Sequence, residues 1–154
     1  MWGYPTKGRG NNIDDLLNEE NFKKLIIFLV KYSNSNISNE ILKIEIKKIE
    51  SIGISTISKF LYFLNCSIEN NKCLILDLRI INCIRKNKFI ELDELKTITY
   101  SNAIAKYELY LEIINKVANE INAASDQVEM FLFIFGNNLS ELKGEEYYGD
   151  IDDI

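Results

Sequence analysis

The chain has 154 residues, the length of one domain, and its 47% hydrophobic and 27% charged residues exclude general disorder. It contains no histidine, which excludes a histidine general base and histidine-ligated metal sites, and its three cysteines lack the spacing of a disulfide framework or a thiolate zinc site. The net charge of −5 is uneven: residues 1–88 hold 14 basic and 9 acidic side chains, whereas residues 89–154 hold 4 and 14. This asymmetry is typical of an anion-binding front with an acidic tail, and equally of a plain acidic C-terminus.

The chain opens without the apolar core of a secretory signal, and no apolar run approaches the ~20 residues of a membrane span. Its one proline and seven glycines leave few helix breakers, which favours about seven helices in a single all-α domain. We expect this domain to cover residues 1–139, and residues 140–154 to form an acidic, mobile tail. The cysteines are expected to be buried and reduced, as in a cytoplasmic protein.

The first predicted helix is capped by Asn12 or Asp14 and ends near Tyr32, because its apolar residues recur at three- and four-residue spacing. Ser38 is expected to cap a second helix, whose lysines face outward. The residues expected to face inward from the second helix are Ile41, Leu42, Ile44, Ile46 and Ile49.

A tight turn is predicted at "SIGIS" (Ser51–Ser55), where Gly53 can adopt a positive φ. The apolar segment "TISKFLYFL" predicts a short helix after this turn, and the polar "NCSIENNK" predicts a loop. The apolar run "CLIL" then leads in an extended conformation to Asp77, which is placed to cap a helix that ends near Arg85.

The last third of the chain predicts three more helices. "ELDELK" is expected to form a short one, and Ser101 to cap a long one that continues to about residue 124. Asp126, with Glu129 three residues later, has the arrangement of a capping box for a final helix, which Gly136 is expected to end.

The turn around Gly53 has the features of an anion-binding site. The N–H groups at the start of the helix that follows favour a phosphate, and the hydroxyls of Ser55, Thr56 and Ser58 can donate further hydrogen bonds. Lysines at positions 47, 48 and 59 can add positive charge. The same pattern is also typical of an ordinary helical hairpin that binds nothing.

Three motifs in order resemble the helix-hairpin-helix DNA glycosylases: the turn "SIGIS" with the helix "TISKFLYFL", then "LILDLRI", and last the helix of Asp126–Phe133. With the opening "WGYP", they are most similar to the prokaryotic 8-oxoguanine DNA glycosylase-like (OGG-like) group. The resemblance extends from about Trp2 to Asn138 and implies an all-α domain that contains a helix-hairpin-helix motif.

The resemblance also implies roles for individual residues. Asp77 would be the catalytic carboxylate, which stabilises an oxocarbenium-like sugar or positions a nucleophile as the N-glycosidic bond breaks. Members with lyase activity carry a lysine where Ser55 stands, and Lys59, one helical turn further on, is the candidate to replace it or to contact phosphate. From the residues alone, Asp77 is better explained as a helix cap.

The final helix would line the pocket for an everted base. Glu129 stands at the position of a base-reading side chain, Phe133 can stack on a purine, and Gln127 is a secondary candidate. Arg79 could contact phosphate or the everted base, and Lys48 near the turn is a further candidate for binding the phosphate backbone. The alternative is that Phe133 and its aromatic neighbours belong to the core.

The interpretation is a DNA glycosylase that removes a damaged purine such as 8-oxoguanine, with double-stranded DNA or a modified nucleotide as its partner and without metal or cofactor. The first alternative is a module of the same fold that binds without cleaving. Because OGG-like proteins occur in prokaryotic defence gene sets, protein partners from such an operon are also expected. The second alternative is a small helical interaction protein with no role on nucleic acid.

Overall fold

The computed structural model describes residues 15–86 and 89–136, and this part of the chain is mostly helical, which confirms the all-α class. Residues 1–14, 87–88 and 137–154 lie outside the described residues, and with them the opening segment and the predicted acidic tail. The helices are α1 (Glu19–Tyr32), α2 (Asn39–Ile46), α3 (Ile54–Phe63), α4 (Leu78–Lys86), a 3-10 helix (Ile90–Thr97), α5 (Tyr107–Glu120) and α6 (Ser125–Ile134).

A small sheet, which the sequence did not predict, ties the region before α2 to the region after α3. Strand β1 (Asn36–Ile37) pairs in parallel with β2 (Ser67–Ile68), and β2 pairs antiparallel with β3 (Asn71–Lys72). Between β2 and β3, both residues of the connecting turn have positive φ, as a two-residue hairpin requires. Strands of two residues are too short to produce a visible alternation, so the polar loop predicted here was wrong.

The boundaries of α1 and α2 show which predicted caps are used. Helix α1 begins at Glu19, where the Asn18 side chain accepts the N–H of Asn21 at 2.9 Å, and residues 17–18 separate it from the helical residues 15–16. The helix predicted to continue to Tyr32 from a cap at Asn12 or Asp14 is therefore interrupted. Both of those residues lie outside the described part of the chain. The predicted end of α1 at Tyr32 is confirmed, as is the Ser38 cap of α2.

The starts of α5 and α6 also differ from prediction. Helix α5 begins at Tyr107 rather than after Ser101, because the Asn102 side chain bonds to backbone groups of residues 97 and 99 and stabilises a turn there. Helix α6 begins at Ser125, where the Gln127 side chain accepts the N–H of Ala124 at 2.8 Å. The capping box predicted from Asp126 and Glu129 was therefore wrong.

A single buried core joins these helices. The inner face of α2 is confirmed for Leu42 and Ile46 but wrong for Ile41 and Ile44, which are 43% and 58% exposed. The three cysteines are buried, as predicted, and none is part of a disulfide bond. No helix among the described residues is both long and apolar enough to cross a membrane.

Candidate active site

The turn between α2 and α3, residues 47–53, differs from its predicted conformation; we call it the hairpin turn. Ser51 is the residue with a positive φ, 56°, whereas Gly53 has a φ of −99° and an extended backbone. The prediction that Gly53 takes a positive φ was therefore wrong. A side chain at Gly53 would overlap the hydroxyl of Tyr100, so the glycine is explained by this close approach.

The polar residues predicted to contact DNA near this turn lie in three different settings. Ser58 is fully buried and hydrogen-bonds to the backbone of Leu76, so its hydroxyl is not accessible to a phosphate and that prediction was wrong. Lys48 is exposed and forms an ion pair with Glu45 at 3.0 Å. Ser55 is half-buried on α3.

A cavity of about 870 Å³ opens between α3, the segment before α4, and α6. Five residues of α3, among them Thr56 and Lys59, form one wall, and seven from Asp126 to Phe135 form the opposite wall. Asp77 lies between them. The residues that border the cavity are Thr56, Lys59, Phe60, Tyr62, Phe63, Ile75, Asp77, Asp126, Gln127, Glu129, Met130, Phe131, Phe133 and Phe135.

The structure thus brings together residues that the sequence singled out separately. Lys59, Asp77, Gln127, Glu129 and Phe133 all border this one cavity. Gly53, Ser55, Ser58, Lys48 and Arg79 are not part of its lining.

Asp77 is both a helix cap and part of the cavity wall. Its Oδ1 accepts the N–H of Ile80 at 3.0 Å, and its carbonyl accepts the N–H of Ile81, which confirms the predicted cap of α4. The carboxyl group is half-buried.

Residues 74–77, which we call the approach segment, carry Asp77 to this position without pairing in the sheet. Buried side chains satisfy their backbone groups instead. Tyr107 donates its hydroxyl hydrogen to the carbonyl of Leu74, and Tyr110 donates to that of Ile75 at 2.9 Å. Burial raises the pKa of each of these two tyrosines well above its usual value, so both remain protonated donors at neutral pH.

Glu129 is the most deeply buried of the carboxyl groups in the cavity wall, with 6% of its surface exposed. Its Oε2 accepts the N–H of Ile75 at 3.2 Å. Burial raises its pKa to about 7, an effect only partly offset by the Ile75 hydrogen bond and reinforced by the negative charges of Asp77 and Asp126. This carboxyl group can therefore gain or lose a proton near neutral pH.

Aromatic rings cover both walls of the cavity, and cations lie against two of them. The Arg79 guanidinium lies over the Phe133 ring, with its Cζ 4.8 Å from the ring centre. Lys72 lies 5.6 Å from the centre of the Tyr62 ring. Phe131 and Phe135 are 45% and 51% exposed, so the alternative that they are core residues was wrong, whereas the half-buried Phe133 does pack against the core.

Sequence reasoning missed two groups of residues here. Tyr62 and Phe63 follow Lys59 at three- and four-residue spacing, so the helical period alone could have placed them on the Lys59 side of α3. Tyr107 and Tyr110 bond to residues of the approach segment more than 30 positions away in the chain, and no local pattern indicates these contacts. Among the described residues, no group of three or more acidic or cysteine side chains could hold a metal ion.

A family model described as "Putative 8-oxoguanine DNA glycosylase OGG-like protein" matches residues 1–133. Because this match covers most of the chain, the protein belongs to this OGG-like family, and the family predicted from the three motifs is confirmed. Neither a search of curated proteins nor a search of solved structures found a match.

Proposed function

We propose that this protein is a DNA glycosylase that receives an everted purine in the cavity between α3 and α6 and breaks its N-glycosidic bond. The observation that carries the proposal is that Asp77 and Lys59, 18 residues apart in the sequence, border the same aromatic cavity. The family match supports the same class of chemistry. The base proposed for removal is a damaged purine such as 8-oxoguanine.

The size and lining of the cavity fit this substrate. A volume of about 870 Å³ falls within the roughly 300–1,000 Å³ of small-molecule pockets. Enzymes that act on a base in duplex DNA extrude it and hold it against aromatic or apolar side chains, with polar groups at its edge. In this cavity, Phe133 would stack on the purine, and Glu129 and Gln127 would contact its edge.

Asp77 would act on the sugar. When the bond between C1′ and the base nitrogen breaks, its electron pair leaves with the base, which takes up a proton, and positive charge develops on the sugar ring. A fixed carboxylate close to that charge lowers the barrier, because it needs no reorganisation during the reaction. The Ile80 hydrogen bond holds Oδ1 in place for this role.

Lys59 would either contact the adjacent phosphate or attack C1′ once the base has left. It is half-buried at the cavity wall and forms no ion pair with any described residue. If its amine adds to C1′, loses its protons, and the sugar ring then opens at the C1′–O4′ bond, the product is a Schiff base and the strand can be cleaved. If water adds instead, an abasic site remains. The hairpin turn and the N-terminus of α3 would bind the strand beside the everted nucleotide.

The experiment is base excision from a duplex that contains 8-oxoguanine, detected as strand scission after alkali treatment. We expect product from the wild type, and from Asp77→Asn a rate that is lower by a factor of about 100 or more. Asn also caps helices well, so this variant should fold normally. The control is Asp93→Asn, at an exposed acid in the 3-10 helix that pairs with Lys96.

The outcomes separate this proposal from a module that only binds. Equal product from Asp77→Asn and wild type would remove Asp77 from the mechanism. Salt-dependent binding of the duplex with no product from the wild type would select the non-cleaving module.

Borohydride trapping addresses Lys59, because only an amine that has formed a Schiff base becomes covalently attached to DNA. If Lys59 is the nucleophile, Lys59→Gln abolishes the adduct, whereas Lys116→Gln, at an exposed lysine of α5, retains it. Excision without any adduct in the wild type would assign the attack on C1′ to water.

A further inference from the structure

The backbone of the approach segment is held by four side chains from three helices. Ser58 of α3 accepts the N–H of Leu76 at 3.1 Å and lies 3.5 Å from the Leu76 carbonyl oxygen. Glu129 of α6 accepts the N–H of Ile75, while the two tyrosines of α5 donate to the carbonyls of residues 74 and 75. An irregular buried backbone that is bonded this completely has little freedom to move.

Three of these four side chains are too deeply buried to act on DNA directly. Ser58, Tyr107 and Tyr110 have no exposed surface. Leu74 and Leu76, which they hold, are fully buried as well. These bonds therefore fix the position of the residue that follows Leu76 and borders the cavity, which is Asp77.

We propose that Ser58 is a positioning residue that fixes the Asp77 carboxyl group relative to Lys59. This inference rests on the proposed function, in which both groups act at one sugar. Ser58 immediately precedes Lys59 in the chain, and Leu76 immediately precedes Asp77. The bond between Ser58 and Leu76 thus links the two chain neighbours of the candidate catalytic groups.

The chemistry of serine suits this link. Its hydroxyl is small enough for the contact between α3 and the approach segment, and one oxygen can accept from an N–H while it donates to a carbonyl. Alanine at this position would leave the Leu76 N–H without a partner in a fully buried site. The segment would then shift to satisfy that group, and Asp77 would shift with it.

Asn21 provides a matched control because it makes the same kind of bond elsewhere. It is buried, accepts the N–H of Glu50 at 2.8 Å and donates to the carbonyl of Glu50 at 2.9 Å. It holds the hairpin turn and makes no contact with the approach segment among the bonds of the described residues.

The experiment compares Ser58→Ala with Asn21→Ala on the full chain. The excision rate is measured in single turnover at saturating protein, the Kd on a duplex with a non-cleavable abasic analogue, and stability by thermal unfolding. We expect both variants to lose stability. The excision rate should fall about 10- to 100-fold in Ser58→Ala only, because a misplacement of about 1 Å can reduce a rate by about 100-fold. The Kd of Ser58→Ala should stay within about threefold of the wild type, because Ser58 does not touch the duplex.

Tyr110→Phe serves as a second probe in case Ser58→Ala does not fold. It removes one hydroxyl from the Ile75 carbonyl and keeps the ring, so we expect a smaller fall in excision rate, again with little change in Kd.

An excision rate in Ser58→Ala and Tyr110→Phe equal to that of Asn21→Ala would overturn the inference while the glycosylase proposal stands. A rate loss matched by an equal loss of duplex binding would also overturn it. No product from the wild type would overturn the proposed function and this inference together.

Discussion

The hairpin turn and the approach segment are two irregular stretches of backbone that flank α3, and they are held by similar bonds. In each, a buried polar side chain faces the N–H and the carbonyl of a single residue: Asn21 with Glu50, and Ser58 with Leu76. Both bonds join positions far apart in the chain, so both tie separate elements together.

The difference lies in what surrounds these bonds. In the hairpin turn, Lys47, Lys48, Glu50 and Ser51 are exposed. In the approach segment, Leu74 and Leu76 are buried, and three further side chains are bonded to the backbone. Buried hydrogen bonds are therefore concentrated where a carboxyl group must be placed accurately, whereas the turn proposed to bind the strand remains open to solvent and to adjustment.

Tyr107→Phe should be the most destabilising of three substitutions that test this comparison. It leaves the buried Leu74 carbonyl without its donor, so we expect the free energy of unfolding to fall by roughly 1–3 kcal/mol. Denaturant titration measures the change.

Tyr100→Phe is the matched control for this prediction. Tyr100 lies beside the hairpin turn, is 42% exposed and donates no hydrogen bond among those of the described residues. Removing the Tyr100 hydroxyl should change the unfolding free energy by about 0.5 kcal/mol or less. Equal losses in the two variants would mean that the approach segment is no more tightly held than the turn.

Glu129→Gln should have a smaller, pH-dependent effect. The pKa of this carboxyl group rises from 4.5 to about 7 on folding, so the folded state binds its proton more tightly than the unfolded state. Its contribution to stability is therefore fully present below about pH 4.5 and is lost as the pH rises toward 7. Glutamine cannot ionise and can still accept the Ile75 N–H.

The measurement is thermal or denaturant unfolding of Glu129→Gln and wild type at pH 4.5 and pH 8. The variant should be the more stable protein at pH 8, by an amount on the order of 1 kcal/mol, and should lose this advantage at pH 4.5. Glu120→Gln, at an exposed acid of α5, is the control and should show no such trend. A stability difference that is the same at both pH values would show that Glu129 does not titrate in this window.

Much of the fold could be predicted from local patterns. The apolar run before Asp77 and the periodic residues after it predicted the cap that Oδ1 makes with Ile80, and Ser38 was predicted in the same way. The start of α5 was also encoded locally, in the turn-forming bonds of Asn102, although the apolar stripe suggested an earlier start.

Other errors come from contacts between residues distant in sequence. Ser58 was predicted to contact DNA because its true partner, Leu76, lies 18 positions later and cannot be identified from spacing. The sheet pairs Asn36 with Ser67, and two-residue strands have no period to detect. The cavity itself depends on how α3 and α6 are placed, so its members could be predicted only through family resemblance.

Gly53→Ala should have the smallest effect, and it tests why the hairpin turn contains glycine. At a φ of −99° an alanine is unstrained, so the only obstacle is the Tyr100 hydroxyl, which lies at the far end of a partly exposed side chain and can move. We expect a loss of about 0.5 kcal/mol or less in unfolding free energy.

The decisive comparison is Gly53→Ala in wild type and in a Tyr100→Ala background, measured as a double-mutant cycle. If close approach explains the glycine, the cost of Gly53→Ala disappears once the tyrosine is removed. If the turn instead needs a positive φ at this position, alanine is strained in both backgrounds and costs about 1 kcal/mol or more in each. Suppose that the turn tolerates alanine while the approach segment does not tolerate the loss of one hydroxyl. The accurately positioned part of this site is then the Asp77 side of α3.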